Sequence, residues 1–352
     1  MSLRDRLTAQ ISAQGPISVA QYMTACLHDP DFGYYATRPA IGEGGDFITA
    51  PMISQMFGEM LGVWAASAWE LMGRPDTFRL IEMGPGDGTL MGDILKTVRH
   101  AAGFLEAADV WLVETSKPLM ALQQARLGEV AQWASSLSQV PTGAPIILIA
   151  NELLDCLPVR QFVRTAIGWA EQVVGLDADG ELAFGLTSTP IGGLLAQAAP
   201  GQVFEQSAAQ ACLGVELGRR IAIERGAALL IDYGRAEPGF GDTLQALCRH
   251  EKVDPLLTPG QADLTVHADF PAVMEAARAE GSKTAILSQA SFLARMGIGQ
   301  RAEALVGTSP GQSATIGRQL NRLLSAEEMG ELFKVCVIHS PDWTAPAFED
   351  AP

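Results

Sequence analysis

The sequence predicts an α/β fold, a mostly parallel, doubly wound sheet of six or seven strands covered by helices on both faces. Three observations predict it. Short apolar runs, several of them β-branched, recur between residues 78 and 339 with room for a crossover helix between most of them. One of them, LIEMGPGDGTL (Leu80 to Leu90), passes from strand to helix through three alternate glycines. Polar residues stand where strands end (Glu82, Glu114, Asn151), and open α/β sheets bind their ligands at the carboxyl ends of strands.

Taken in order, residues 1–75 read as a helical N-terminal extension. Ile17 to Leu27 has helical spacing with Ser18 as N-cap, and Ser54 to Met72 is a second apolar-periodic helix carrying Trp64 and Trp69. Between them, HDPDFGYYATRPAIGEGGDFITAP holds Phe32, Tyr34, Tyr35 and Phe47, too many aromatic residues for a tether. It is either a lid or substrate wall, or a structural loop pinned by its rings. Residues 76–160 form the first half of a core, with strands at Phe78–Glu82, Val110–Glu114 and Ile146–Ala150, a short one near Gln132–Ala134, and a helix over Thr89–Val98. Residues 161–225 break the rhythm. There VRQFVRT, WAEQVVGLD and ELAFGL alternate like antiparallel strands around the turn Asp179-Gly180, which predicts an inserted β-rich subdomain, and a helix over Ser207–Glu224 leads back to the sheet. Residues 226–345 complete the core with strands at Ala227–Asp232, Lys283–Leu287 and Lys334–His339. The run from His250 to Phe270 reads as a substrate or subunit wall in which His250 and His267 are structural.

Composition narrows the function classes. The 352 residues, 48% hydrophobic, suffice for a substantial core, and a net charge of −16 argues against nucleic acid or an anionic membrane as partner; it suits a basic or cationic substrate, and solubility alone explains it equally well. No apolar run has membrane-spanning length, and MSLRDRLTAQ resembles neither a signal nor a transit peptide, so a cytoplasmic protein is expected. The five cysteines are scattered and read as reduced thiols. Cys26 with His28 and Cys248 with His250 supply two ligands each, short of a closed zinc site, so no metal is expected.

The glycine loop departs from the dinucleotide pattern in an informative way. In G-x-G-x-x-G the third glycine packs a helix beneath a pyrophosphate. Here Gly84, Gly86 and Gly88 are evenly spaced, so the third comes one residue early and Thr89 follows it. Glu82 would repel a pyrophosphate but attract an ammonium. S-adenosylmethionine carries an ammonium, a sulfonium and no phosphate, so the loop favours it over NAD. Glu114, at the end of the second strand, suits the ribose hydroxyls of either cofactor; alternatively it is a solvated strand-end acid capping the helix that starts near Ser116, itself a candidate for the same site. Asn151, Glu152 and Asp155 follow the strand expected beside the loop. Asn151 suits an adenine or a substrate amide, and the carboxylates suit a cation near the reactive methyl. The competing account makes Asn151 an N-cap and Glu152 a first-turn acid, although Asp155 is superfluous to a cap and Pro158 would soon end the helix.

Four motifs in one order, IGEGGDFITAP, LIEMGPGDGTL, ANELLDCLPVRQF and IDYG, resemble the MidA family, which has bacterial and mitochondrial members. The resemblance runs from about Ile17 to the last strand. It implies a class I S-adenosylmethionine-dependent methyltransferase, Rossmann-like with a seven-stranded sheet. For the mitochondrial member it implies methylation of an arginine in a respiratory complex I subunit. Partners expected on this basis are a protein substrate such as such a subunit, with a homodimer left open and neither nucleic acid nor membrane insertion involved. One departure is Met52 in TAP-x-ISQ, where Glu is expected, which leaves substrate choice open. A guanidinium is protonated below a pKa of roughly 12, so carboxylates are the tools for pairing with it, orienting one nitrogen and taking its proton. Glu152 and Asp155 are the first catalytic candidates, followed by Asp46 in the N-terminal loop and by Asp232, beside Tyr233, which alternatively holds a turn with Gly234. Three rivals stand beside this reading: a non-catalytic assembly factor that keeps the fold, an NAD-linked enzyme, and a small-molecule methyltransferase.

Overall fold

Alternation along buried strands decides which side chain enters which layer. Ile147 and Ile149 face one side of the central sheet, while Ile146, Leu148 and Ala150 face the other. The computed structural model describes residues 2–37, 49–188, 198–249 and 251–350. Its central sheet is made of β1 (Phe78–Met83), β2 (Ala108–Val113), β3 (Ala131–Ala134), β4 (Ile146–Asn151), β5 (Gly226–Arg235), β6 (Lys283–Ser288) and β7 (Phe333–His339). They lie in the order β3-β2-β1-β4-β5-β7-β6. Strands β1 to β5 pair in parallel, and β7 runs antiparallel to both β5 and β6. Every predicted core strand is present. β5 outruns its predicted end at Asp232 because Ala268–Asp269 offers Gly234 and Arg235 a parallel partner. The order reverses direction between β1 and β4, which opens a crevice at their carboxyl ends.

Each face of the sheet is covered by helices. Leu80, Leu112, Ile149, Leu229 and Val337 pack against the helices Gln55–Leu71 and Thr89–Val98 and against C-terminal helices reaching Leu323. Ile81, Leu148, Leu230 and Ile338 pack against Ala208–Glu224 and Phe270–Ala279. In both layers glycines set how close the helices come. A methyl group added at Gly58 or Gly62 would lie 2.7 Å from the Cβ of Asp93 or Thr97, and one at Gly218 would lie 2.6 Å from the backbone of Ala277. Two stripes of small residues four apart thus let helix backbones approach to near contact.

A third core joins segments far apart in sequence. Arg160–Thr165, Gly168–Leu176, Leu182–Leu186 and Val203–Gln206 form an antiparallel sheet, and Ile17 adds to it by pairing with Val174. Helices Leu3–Gln14 and Val19–His28, capped by Ser2 and Ser18, pack against it together with Leu256, Leu264 and Val266. The first 75 residues are therefore shared out: residues 3–28 join the core of the inserted sheet, while Gln55–Leu71, capped by Ser54, joins that of the central sheet. Of the aromatic loop, Tyr34 is buried and Tyr35 donates its hydroxyl to Asp263 at 2.8 Å; Phe47 and the rest of 38–48 lie outside the described residues. Among the described residues no helix is long and apolar enough to cross a membrane.

The close glycine contacts lead to a paired prediction. Gly218→Ala must displace the backbone at Ala277 and is expected to lower stability by about 1–3 kcal/mol. Gly317→Ala, on a helix with open space around it, is expected to raise stability by about 0.5–1 kcal/mol. Urea denaturation of the two variants beside the wild type measures both signs.

Candidate functional site: a crevice at the carboxyl ends of β1 and β4

The crevice is lined by Thr49, Pro51 and Met52 on one side, by Glu82 and the glycine loop on another, and by Asn151 and Glu152. The loop curls because Gly84, Gly86 and Gly88 have φ of 64, 54 and 81°, a left-handed region where a Cβ is penalised. Gly88 is also the N-cap of the helix Thr89–Val98, whose first N–H groups face the crevice end of β1.

Glu82 is 2% exposed, and its Oε2 has no hydrogen-bond partner. Burial pushes its pKa up to about 8, with Asp87 and Glu114 adding to the rise and the backbone N–H of Met91 opposing it. A buried carboxylate with an unpaired oxygen is stabilised by a cationic ligand. Asn151 repeats the pattern: its amide donates to Glu152 at 2.9 Å, while its Oδ1 is buried without a partner. An acceptor for an ammonium and a second acceptor alongside it fit the amino-acid end of S-adenosylmethionine.

Glu114 lies beside the glycine loop, outside the crevice lining, and is tied to the loop by a residue that the sequence reading missed. Glu114 accepts the N–H groups of Thr115 and Ser116, each at 2.7 Å, and its second oxygen accepts the amide of Gln123 at 3.1 Å. The same amide donates to the carbonyl of Gly86 at 2.7 Å. Ser116 is a helix cap, its hydroxyl accepting from Leu119 N at 3.4 Å. Gln123 lies four positions after Leu119, the other buried member of its helix, so a polar residue on the inward face was the available signal.

Beyond β4 the chain does not enter a helix. Glu152 has φ of 52°, which cannot open a right-handed turn, so the capping account of Asn151 falls away. A non-glycine residue held in that conformation at a strand end turns its side chain into the crevice, where its carboxylate accepts from Ala50 N at 3.2 Å as well as from Asn151. Burial and then Asp155 push its pKa up to about 7, partly offset by Asn151 and Arg322. Asp155 lies behind it, accepting the Tyr233 hydroxyl at 2.8 Å, and burial raises it to about 6. Asp232 is 0% exposed and outside the crevice lining. It accepts Leu154 N, Asp155 N and Tyr233 N at 2.8, 3.1 and 2.8 Å. Its carboxylate holds the turn after β4 together, the second of the two readings given for it above, with the turn partner being 154–155 rather than Gly234. Asp46 and His250 lie outside the described residues, and His267 packs edge-on against Tyr233 at 5.6 Å.

One further motif is decided by context. Gly307–Gly311 (GTSPG) has the spacing of a hydrolase nucleophile elbow, but it joins a helix to a 3-10 turn, whereas the elbow requires a strand entering a helix. Among the described residues no group of three or more His, Cys, Asp or Glu is arranged to hold a metal ion.

A seven-stranded sheet with one antiparallel strand, a glycine turn after β1 and acids at the ends of β1 and β2 define a class I S-adenosylmethionine-dependent methyltransferase. Comparison with known proteins agrees: a family model of S-adenosyl-L-methionine-dependent methyltransferases matches residues 60–288. The chain belongs to this family, the MidA group. It is 36% identical to the mitochondrial protein arginine methyltransferase NDUFAF7 of Danio rerio, covering 95% of this chain and 86% of that one. With the Homo sapiens protein of the same name it shares 35%, over 93% and 81%. A crystal structure from Burkholderia thailandensis bound to S-adenosyl-homocysteine superposes with a TM-score of 0.84 at 28% identity, covering 99% of this chain and 95% of that chain. A native structure from the same organism gives 0.85 at 29%, over 99% and 94%.

Glu82 is expected to make cofactor binding pH-dependent. Its pKa in the folded protein, about 8, lies above the ordinary 4.5, so the folded state holds the proton more tightly and stability without ligand falls as pH rises through that window. An ammonium requires the ionised form, so affinity for S-adenosylhomocysteine is expected to increase from pH 6 to 8. Glu82→Gln should bind about tenfold or more weakly at pH 8 and show a shallower slope, as titration calorimetry at several pH values would record.

Proposed function

We propose that this methyltransferase acts on an arginine of a protein partner, with a respiratory complex I subunit as the partner class that the family resemblance brings. One observation carries the reading: Glu152, a half-buried crevice carboxylate with a pKa pushed up to about 7, stands beside the cofactor loop on a strained backbone. The names of the relatives, protein arginine methyltransferases at 33–36% identity, support it, and so does the net charge of −16, which favours a basic segment.

Bound S-adenosylmethionine supplies an electrophilic methyl group on a sulfonium. The chain's own residues do the rest. Glu82 and Asn151 hold the amino-acid end, and the glycine loop and Glu114 hold the nucleoside, fixing the direction from which an acceptor must approach. Glu152 pairs with the substrate guanidinium, aims one nitrogen and takes the proton that this nitrogen sheds as its new N–C bond replaces the methyl–sulfur bond, whose electron pair stays on the thioether sulfur. A base with a pKa near neutrality is well matched to that transfer. Asp155, anchored by Tyr233, adds negative charge behind Glu152 and keeps it basic. Asp232 acts through the frame: its three backbone hydrogen bonds hold the turn that carries Asp155.

Two measurements test the assignment. Glu152→Gln is expected to lower kcat by about 10²–10⁴-fold while S-adenosylhomocysteine affinity changes little, and wild-type kcat should rise with pH through about 7 as Glu152 ionises. Incubating the protein with labelled cofactor and a lysate lacking its own methylation should place label on arginine in a protein. Label only in small molecules, or none, would end the protein-arginine reading.

A further inference from the structure

The buried Gln123 side chain makes three hydrogen bonds whose chemistry allows only one orientation. Trp133 Nε1, a pure donor, lies 2.9 Å from Oε1; the carbonyl of Gly86 and the carboxylate of Glu114, both acceptors, lie 2.7 and 3.1 Å from Nε2. Gln123 is 0% exposed, so no water competes for any of these positions. Its helix also backs the loop directly, since a methyl group added at Gly88 would lie 3.4 Å from Gln123 Cα.

The bond to Gly86 reaches beyond the carbonyl. No peptide in the described chain is cis, and in a trans peptide the carbonyl and the following N–H point in opposite directions. Drawing the Gly86 carbonyl towards Gln123 turns the Asp87 N–H away from Gln123, and Asp87 is itself a crevice-lining residue. The other amide hydrogen holds Glu114 Oε2, while Thr115 N and Ser116 N hold Oε1. One side chain thereby sets a backbone donor in the loop and the acid at the end of β2.

We infer that Gln123 is a positioning residue for the cofactor, registering the glycine loop against Glu114 so that the loop and the ribose hydroxyls are engaged together. The inference rests on the reading of Glu114 as the acid that receives those hydroxyls. It predicts that disturbing Gln123 weakens recognition of the ribose in particular rather than ligand binding in general.

Two variants test it without altering a crevice residue. Gln123→Glu keeps the shape and the acceptor for Trp133 but removes the donor to Gly86 and Glu114. Trp133→Phe removes the bond that fixes the amide's orientation. Titration calorimetry on the full chain compares S-adenosylhomocysteine with its 2′-deoxyribose analogue, and thermal unfolding establishes that each variant is folded. The wild type should prefer the natural ribose by about tenfold or more, and Gln123→Glu should lose most of that preference. Trp133→Phe should show a smaller loss. The preference of Gln123→Glu should recover as pH falls from 8 to 6, because the protonated acid regains a donor, a recovery that a packing defect would not give. A wild type indifferent to the deoxy analogue overturns the ribose reading of Glu114 and this use of Gln123 with it. A wild type that discriminates, with folded variants discriminating equally well, overturns the role of Gln123 alone.

Discussion

Glu82 keeps a carboxylate near the end of a largely buried strand, out of water and with one oxygen unpaired, and the crevice is organised around that cost. Leaving such a charge uncompensated is expensive, so the group keeps its proton to higher pH, and what offsets it within the chain is the Met91 N–H at the start of the following helix. That N–H is in place only because three left-handed glycines bend the chain from β1 into the helix within a few residues. The same arrangement makes the site selective: a cation relieves Glu82, and a phosphate aggravates it.

Closely packed helices hold this geometry in place. Gly58 and Gly62 let the helix Gln55–Leu71 press against Thr89–Val98, which begins at the loop, so the wall carrying Thr49 to Met52 sits directly over the cofactor end of the crevice. On the opposite face of the sheet, Gly214 and Gly218 do the same for Ala208–Glu224 and Phe270–Ala279. Beyond β4, Asp232 gathers three backbone N–H groups and supports the turn from which Asp155 projects, with Glu152 just before it. Acids close together thus divide their work: Glu152 lines the crevice, Asp155 stands behind it on the Tyr233 hydroxyl, and Asp232 is consumed by the backbone.

Much of this was legible in residue order. The glycine spacing together with Glu82 indicated a cationic, phosphate-free cofactor, because backbone curvature and charge sign are local properties. Strand runs such as Ile146–Ala150 were readable for the same reason, their apolar character following from burial on both faces. Less was readable where partners are distant. Asp232 is a strand-end acid to a reader of sequence, and only the fold shows its oxygens 2.8 to 3.1 Å from backbone N–H groups at residues 154, 155 and 233. Gln123 had no motif at all, since its three partners come from the glycine loop, β3 and the end of β2.

By itself, the sequence determined the class of fold, the cofactor and the strand ends where chemistry occurs, since hydrophobic period, glycine placement and charge act over a few neighbouring residues. Only the tertiary structure decided which acids share a crevice, that Glu152 adopts a left-handed backbone rather than opening a helix, and that residues 3–28 complete the core of an insertion that begins more than a hundred residues later. Those outcomes depend on desolvation and on hydrogen bonds between segments remote in sequence. Both arise only when the chain has closed on itself.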